Sequence, residues 1–220
     1  MALALKESCH VCFTRDGGVI YDSRSDLYCL LTEKQTAALQ AALAGSEGLT
    51  SCAADICDWL RETKEDLPPL FSSVARGLHD FVWSYRPDEP ARYEAGKPAI
   101  ALILWILLIQ CLLKTRGIVA TLRFVRKHHL IWRRILPSYS LGVGADEIMI
   151  ASRFSPFRFE CLEFSLAIEG YARAFGQHRT TFCLGLQRFP FIAHAWVELN
   201  DKPIGDDPSL RERAAIIYET

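Results

Sequence analysis

The sequence predicts an α+β protein in two units, a small front unit and a larger back unit that carries the chemistry. Three observations predict it. Charge changes sign along the chain: residues 1–86 hold 8 basic and 12 acidic side chains, residues 87–150 hold 9 and 5, and the remainder 8 and 9. Strand-like segments followed by a capped helix come before that change. A long apolar helix, then a capped helix and alternating strands, come after it. The sign change coincides with Arg86 to Pro98, whose three prolines and high charge suit an exposed connection. The expected domains are therefore 1–86 and 99–220, joined by a linker over 87–98.

In the front unit, His10 to Thr14, Val19 to Asp22 and Leu27 to Leu31 read as strands, the first two joined by a turn at Asp16-Gly17-Gly18. Thr32 and Gln35 have the spacing of a capping box, which opens a helix through Ala44 before Gly45. Ser51 caps a second expected helix through Glu62, with Ile56, Trp59 and Leu60 on one face. Three strands followed by helices make a small unit of winged-helix type. Its last strand, Leu27 to Leu31, is the candidate edge for accepting an extended peptide.

Ala99 to Leu113 is almost wholly apolar and stops at Lys114. It is shorter than the roughly 20 residues that span hydrocarbon, so it is expected to be a buried core helix, without stable membrane insertion. Lys114 to Arg134 then carries seven Lys or Arg, His128 and His129, and no acid. Ser155-Pro156 opens the next expected helix, which runs to Phe175. Cys161, Phe164, Ser165, Ile168, Ala172 and Phe175 recur at spacings of three and four and form its inward stripe. Thr180 to Leu186 and Ala193 to Leu199 alternate as strands, which places His194, Trp196 and Glu198 on one face.

The 220 residues are 50% hydrophobic and 23% charged with a net charge of −1, which excludes disorder and coiled coil and gives no bulk attraction to nucleic acid. Eight cysteines in a chain with ample apolar residues, behind an amino terminus without a secretory pattern, place it in the reducing cytoplasm with free thiols. Cys9, Cys12, Cys52 and Cys57 match zinc-ribbon spacings poorly, and no metal is expected.

A thiol at a helix start with an imidazole beside it is a candidate nucleophile, and a carboxylate that orients the imidazole completes the set. The loop after Leu199 decides which acid that is. Three loop residues put Asp206 opposite His194, whereas two put Asp207 there.

The stretches Cys161-Leu162-Glu163-Phe164-Ser165-Leu166-Ala167, Gly185-Leu186-Gln187-Arg188-Phe189-Pro190-Phe191-Ile192-Ala193-His194-Ala195-Trp196-Val197-Glu198 and Gly205-Asp206-Asp207-Pro208 resemble the lasso-peptide maturation B protein family. These are cysteine leader peptidases of papain/transglutaminase-like fold, and the resemblance covers roughly the last sixty residues. It implies Cys161 as nucleophile, His194 as base and Asp206, two before the proline, as the orienting acid. Many members carry Arg where this chain has Gln187, so no substrate contact is assigned there. The front unit then resembles the family's fused precursor-recognition domain. There the leader adds beside the third strand and packs against a helix, which implies leader binding by Leu27, Tyr28, Cys29, Leu30, Ile56, Trp59 and Leu60. The implied partners are a precursor peptide and a separate asparagine-synthetase-like cyclase. No bound cofactor is implied, and ATP enters at most indirectly, through that cyclase. An acyltransferase of the same triad type and a non-catalytic precursor-binding chaperone are the competing readings. Arylamine acetyltransferases, however, carry Arg-Gly-Gly before the nucleophile, where this chain has Phe159-Glu160 after Arg158.

Overall fold

The computed structural model describes residues 2–44, 59–63, 77–78, 82–87, 100–177 and 179–220. It is a mixed α+β fold whose chain divides into two compact units. Met1–His79, Gly185–Ile192 and Arg211–Tyr218 form one unit; Asp80–Leu184, Ala193–Leu210 and Glu219–Thr220 form the other. Residues 88–98 of the expected linker lie outside the described residues.

In the first unit, β1 (Ala2–Leu5) pairs antiparallel with β5 (Leu60–Thr63), and β2 (Cys9–Thr14), β3 (Gly17–Asp22) and β4 (Leu27–Leu30) form an antiparallel sheet in that order. The turn between β2 and β3 is one step earlier than the glycine signal suggested. Thr14 pairs with Gly17, so Arg15 and Asp16 make the loop and both glycines belong to β3. Gly17 sits at φ +120°, and a Cβ there would meet the guanidinium of Arg188 at 3.0 Å. Arg188, only 9% exposed, donates to the carbonyls of Asp16 and Leu31 and so satisfies the backbone at this turn.

Helix α1 (Glu33–Leu43) opens with the expected capping box, Gln35 N–H donating to Thr32 Oγ1 at 3.2 Å and Thr32 N–H to Gln35 Oε1 at 2.9 Å. Its Leu39 and Leu43 pack with Phe13, Ile20, Leu31 and Leu60. The helix expected over 51–62 is corrected where the structure describes it: Trp59 is in a turn and Leu60 opens β5. Pairing with Ala2–Leu5, a strand that the sequence reading did not assign, overrides the helical spacing. Ile56, Cys52 and Cys57 lie outside the described residues.

The second unit is built around α5 (Cys161–Ala174), on which α2 (Ile100–Lys127), α3 (His129–Ile135) and α4 (Leu141–Ser152) pack. The apolar run of α2 buries Leu102, Trp105, Ile106 and Ile109. By length and composition this helix is long and apolar enough to cross a membrane, but it bends at Gly117, φ +76°, and these side chains are core. Two contacts lock it to α5. Trp105 Nε1–H donates to the Ala167 carbonyl at 3.2 Å, and the fully buried Glu169 carboxylate accepts from Arg126 and Arg173, both at 2.6 Å. Arg126, one of the seven basic residues of the 114–134 stretch, is thereby used inside the fold.

Strands β6 (Thr180–Gln187), β7 (Ile192–Leu199), β8 (Lys202–Pro203) and β9 (Ala215–Glu219) form a sheet in the order β8-β7-β6-β9, with the four-residue helix α6 (Leu210–Arg213) preceding β9.

At Gly170 α2 approaches α5 closely: an added Cβ would lie 2.5 Å from the Trp105 ring and 3.0 Å from Val125 Cβ. Gly170→Ala is expected to destabilise the protein by about 1–3 kcal/mol through overpacking, read as a lower denaturant midpoint at unchanged slope.

Candidate functional site

Cys161 is the first residue of α5. The expected start at Ser155-Pro156 is corrected to this point. Ser155 turns its hydroxyl to Gln110 Oε1 (2.7 Å) and accepts the Phe157 N–H, so residues 155–160 form a loop. The helix is then capped by Glu160, whose side chain accepts the Glu163 N–H while Glu163 accepts the Glu160 N–H at 3.1 Å. The nucleophile candidate therefore sits at the helix end itself, half-buried. Gln110, 2% exposed on α2, also donates to the Arg158 carbonyl at 3.2 Å and so holds the loop leading into Cys161 at two points. Nothing in the spacing of the sequence joins Gln110 to a loop some 45 residues away.

His194 lies on β7, 2% exposed, with Trp196 beside it at a centroid distance of 5.9 Å and an interplanar angle of 16°. The Trp196 N–H donates to Glu198 Oε1 at 2.8 Å, so all three residues of the expected face are present and buried. His194 Nε2 lies 2.8 Å from Asp206 Oδ2. The Cys161 side chain also acts electrostatically on this ring. Burial alone would lower the His194 pKa. The hydrogen bond to Asp206, the interactions of the Cys161 side chain and the charge of the carboxylate overcome it and raise it to about 9.

The identity of the acid follows from the backbone and not from strand pairing. Leu199 pairs with Lys202 across the two-residue turn Asn200-Asp201, both at positive φ, and Ile204 N–H still donates to Val197 O at 2.8 Å. Continued as a ladder, that register would set Asp207 opposite His194. It is not continued. Gly205, at φ +66°, reverses the chain, and a Cβ there would lie 2.4 Å from the Tyr85 ring. Asp206 then turns to the imidazole, steadied by the Asp207 N–H on its Oδ1 at 2.8 Å. Asp207 is occupied elsewhere, by Arg86 at 3.1 Å and by the Ser209 N–H and hydroxyl. Tyr85 donates to Asp146 at 2.6 Å, which fixes the ring that rests on the turn.

The other candidate residues are in the first unit. On β4, Tyr28 stacks on Tyr21 at 4.8 Å and meets Phe191 at 5.4 Å, Cys29 packs on the core, and Leu27 and Leu30 are exposed. Strand β4 ends its sheet. Trp59 and Leu60 pack on the core cluster of this unit. Gln187 is buried, with its amide donating to the Phe189 carbonyl at 2.7 Å. Among the described residues, no cluster of His, Cys, Asp and Glu could hold a metal ion.

A raised His194 pKa keeps the acid form in place through neutral pH, so kcat/KM is expected to fall on its alkaline side near pH 9. Folding follows the same sign. The contribution of this proton is full below the unfolded pKa of about 6.5, declines above it, and is gone once pH passes the folded value of about 9. Asp206→Asn removes the orienter and should cut kcat by about 10²–10⁴ and move the alkaline limb to lower pH, read by pH–rate profiles. Gln110→Ala frees the 155–160 loop and should slow alkylation of Cys161 by iodoacetamide several-fold, with a smaller effect in Gln110→Glu, which can still accept from Ser155.

Residues 142–219 match the family model of the transglutaminase-like superfamily. No curated protein and no solved structure matches the chain. The matched segment holds Cys161, His194 and Asp206 together, and a transglutaminase-like domain is compatible with cysteine peptidase or acyltransferase chemistry run by a Cys-His-Asp triad.

Proposed function

We propose that the protein is a cysteine peptidase that removes the leader from a ribosomal precursor during lasso-peptide biosynthesis. The observation that carries the reading is the buried imidazole held by Asp206 at 2.8 Å, with the Cys161 side chain acting on the same ring. In the proposed reaction, Cys161 Sγ attacks the scissile carbonyl carbon and a thioester forms as the C–N bond breaks. His194 gives the thiol proton to the leaving amine. Water, deprotonated by His194, then hydrolyses the thioester, releasing the leader acid and returning the thiol. Asp206 holds the imidazole and offsets its charge throughout. The freed amine of the core peptide is the group that an asparagine-synthetase-like cyclase would join to a side-chain carboxylate that it activates with ATP.

Capture of the precursor is assigned to a winged-helix-like recognition domain in the front part of the chain. Its leader segment adds as a strand along β4, over Leu27, Tyr28, Cys29 and Leu30. The terminal position of β4 in its sheet and the exposure of Leu27 (60%) and Leu30 (42%) support this. Trp59 and Leu60 contribute from the turn and strand that precede residue 64. Docking there raises the concentration of the scissile bond at the triad. The pathway is placed in the cytoplasm, where the thiols stay reduced.

Precursor, cyclase with ATP, and protein incubated together and weighed by mass spectrometry should yield a free leader that disappears with Cys161→Ala. An intact precursor with both proteins would leave a binding module, and transfer of the leader acyl group to an added amine would assign an acyltransferase. Leu27→Asp with Leu30→Asp, both exposed on β4, should weaken capture of the precursor by at least about tenfold if docking supplies the effective concentration.

A further inference from the structure

Helix α3 is seven residues long and has no buried residue. Leu130 (63% exposed), Ile131 (51%) and Ile135 (52%) project outward from it, an unusual amount of aliphatic surface for so short an element. Arg133 and Arg134 are exposed on the same helix, and at 100° per residue Arg134 falls between Leu130 and Ile131. One turn earlier, Arg123 and Lys127 are exposed at i and i+4 on α2. Among the described residues no carboxylate pairs with any of these four cations, and no acidic residue occurs between Lys114 and Arg134. The opposite side of α3 is anchored, with the Trp132 ring 4.6 Å from Trp105 in the core.

We infer that this face of the second unit binds the surface of an anionic phospholipid membrane. Protein interfaces gather apolar residues at the centre and push charge to the rim. Here the cations stand among the aliphatic side chains. That pattern suits a lipid interface, where Leu and Ile enter the acyl boundary while arginines reach back along their stems to phosphate. Four cations beside the aliphatic patch, none paired with a carboxylate among the described residues, supply the complementary charge. The inference is independent of the peptidase reading, because no triad residue is involved.

The test is co-sedimentation of the full chain with vesicles of phosphatidylcholine alone and of phosphatidylcholine mixed with phosphatidylglycerol. Partition is expected on the anionic vesicles only, weakening as salt rises. Arg133→Gln with Arg134→Gln should reduce it by at least about tenfold. Leu130→Ser with Ile131→Ser and Ile135→Ser should abolish it at low salt. Unchanged circular dichroism and unchanged iodoacetamide reactivity of Cys161 would show that both variants fold. No partition, equal partition on neutral vesicles, or partition untouched by the arginine changes overturns the inference. Loss of co-elution with the cyclase in the arginine variant, with no lipid binding by the parent protein, also overturns it and makes the face a protein interface.

Discussion

A charged imidazole sealed from water is tolerable only with a partner that returns what hydration would have supplied. His194, 2% exposed, meets that condition through Asp206 at 2.8 Å, and most of the second unit can be understood as what keeps that pair in register. Were the carboxylate lost, burial would weigh more heavily against the charged ring, with only Cys161 left to oppose it. The direction of the His194 shift therefore depends on both neighbours, and the part supplied by Asp206 depends on the turn at Gly205.

The other member of the site comes from a different layer. Cys161 is placed by a helix whose packing is fixed far from the thiol, by Glu169 bridging Arg126 and Arg173 and by the close approach of Gly170 to Trp105. A buried carboxylate shared by two guanidinium groups is weak evidence for added stability, because desolvation offsets the attraction. It does penalise any slide of α5 along α2, since a shift would strand three charges without partners. Gln110 does the equivalent at the other end, where backbone that lacks helical hydrogen bonds would otherwise be loose. Positional accuracy at the sulfur is thus supplied by polar contacts of α2.

Much of this was legible in the amino-acid order. The three strands and the capping box of α1 are short-range patterns, and Thr32 with Gln35 carried enough local information to fix the helix start. The face shared by His194, Trp196 and Glu198 followed from strand period alone. What was not legible depended on distant chain. The segment 51–62 looked helical because Ile56, Trp59 and Leu60 have helical spacing, yet Leu60 to Thr63 is taken by pairing with residues 2–5. Ser155-Pro156 carried a helix-start signal that Gln110 redirected by accepting the serine hydroxyl. The choice between Asp206 and Asp207 was open because strand register and chain reversal give opposite answers, and only a bend at Gly205 against Tyr85 decides it.

That bend also sets what kind of sequence drift the protein tolerates. The acid reaches the imidazole along twelve residues of chain, through a hairpin whose two turn residues occupy left-handed backbone and a glycine with no room for a methyl group. Exposed side chains such as Ala193 and Lys202 can be exchanged without altering that path. Adding or removing one residue in it would present the neighbouring carboxylate, or none, to a ring that has otherwise not moved. Proton transfer in this domain is accordingly sensitive to the count of residues between Leu199 and Pro208 as well as to Gly205 and Asp206 themselves.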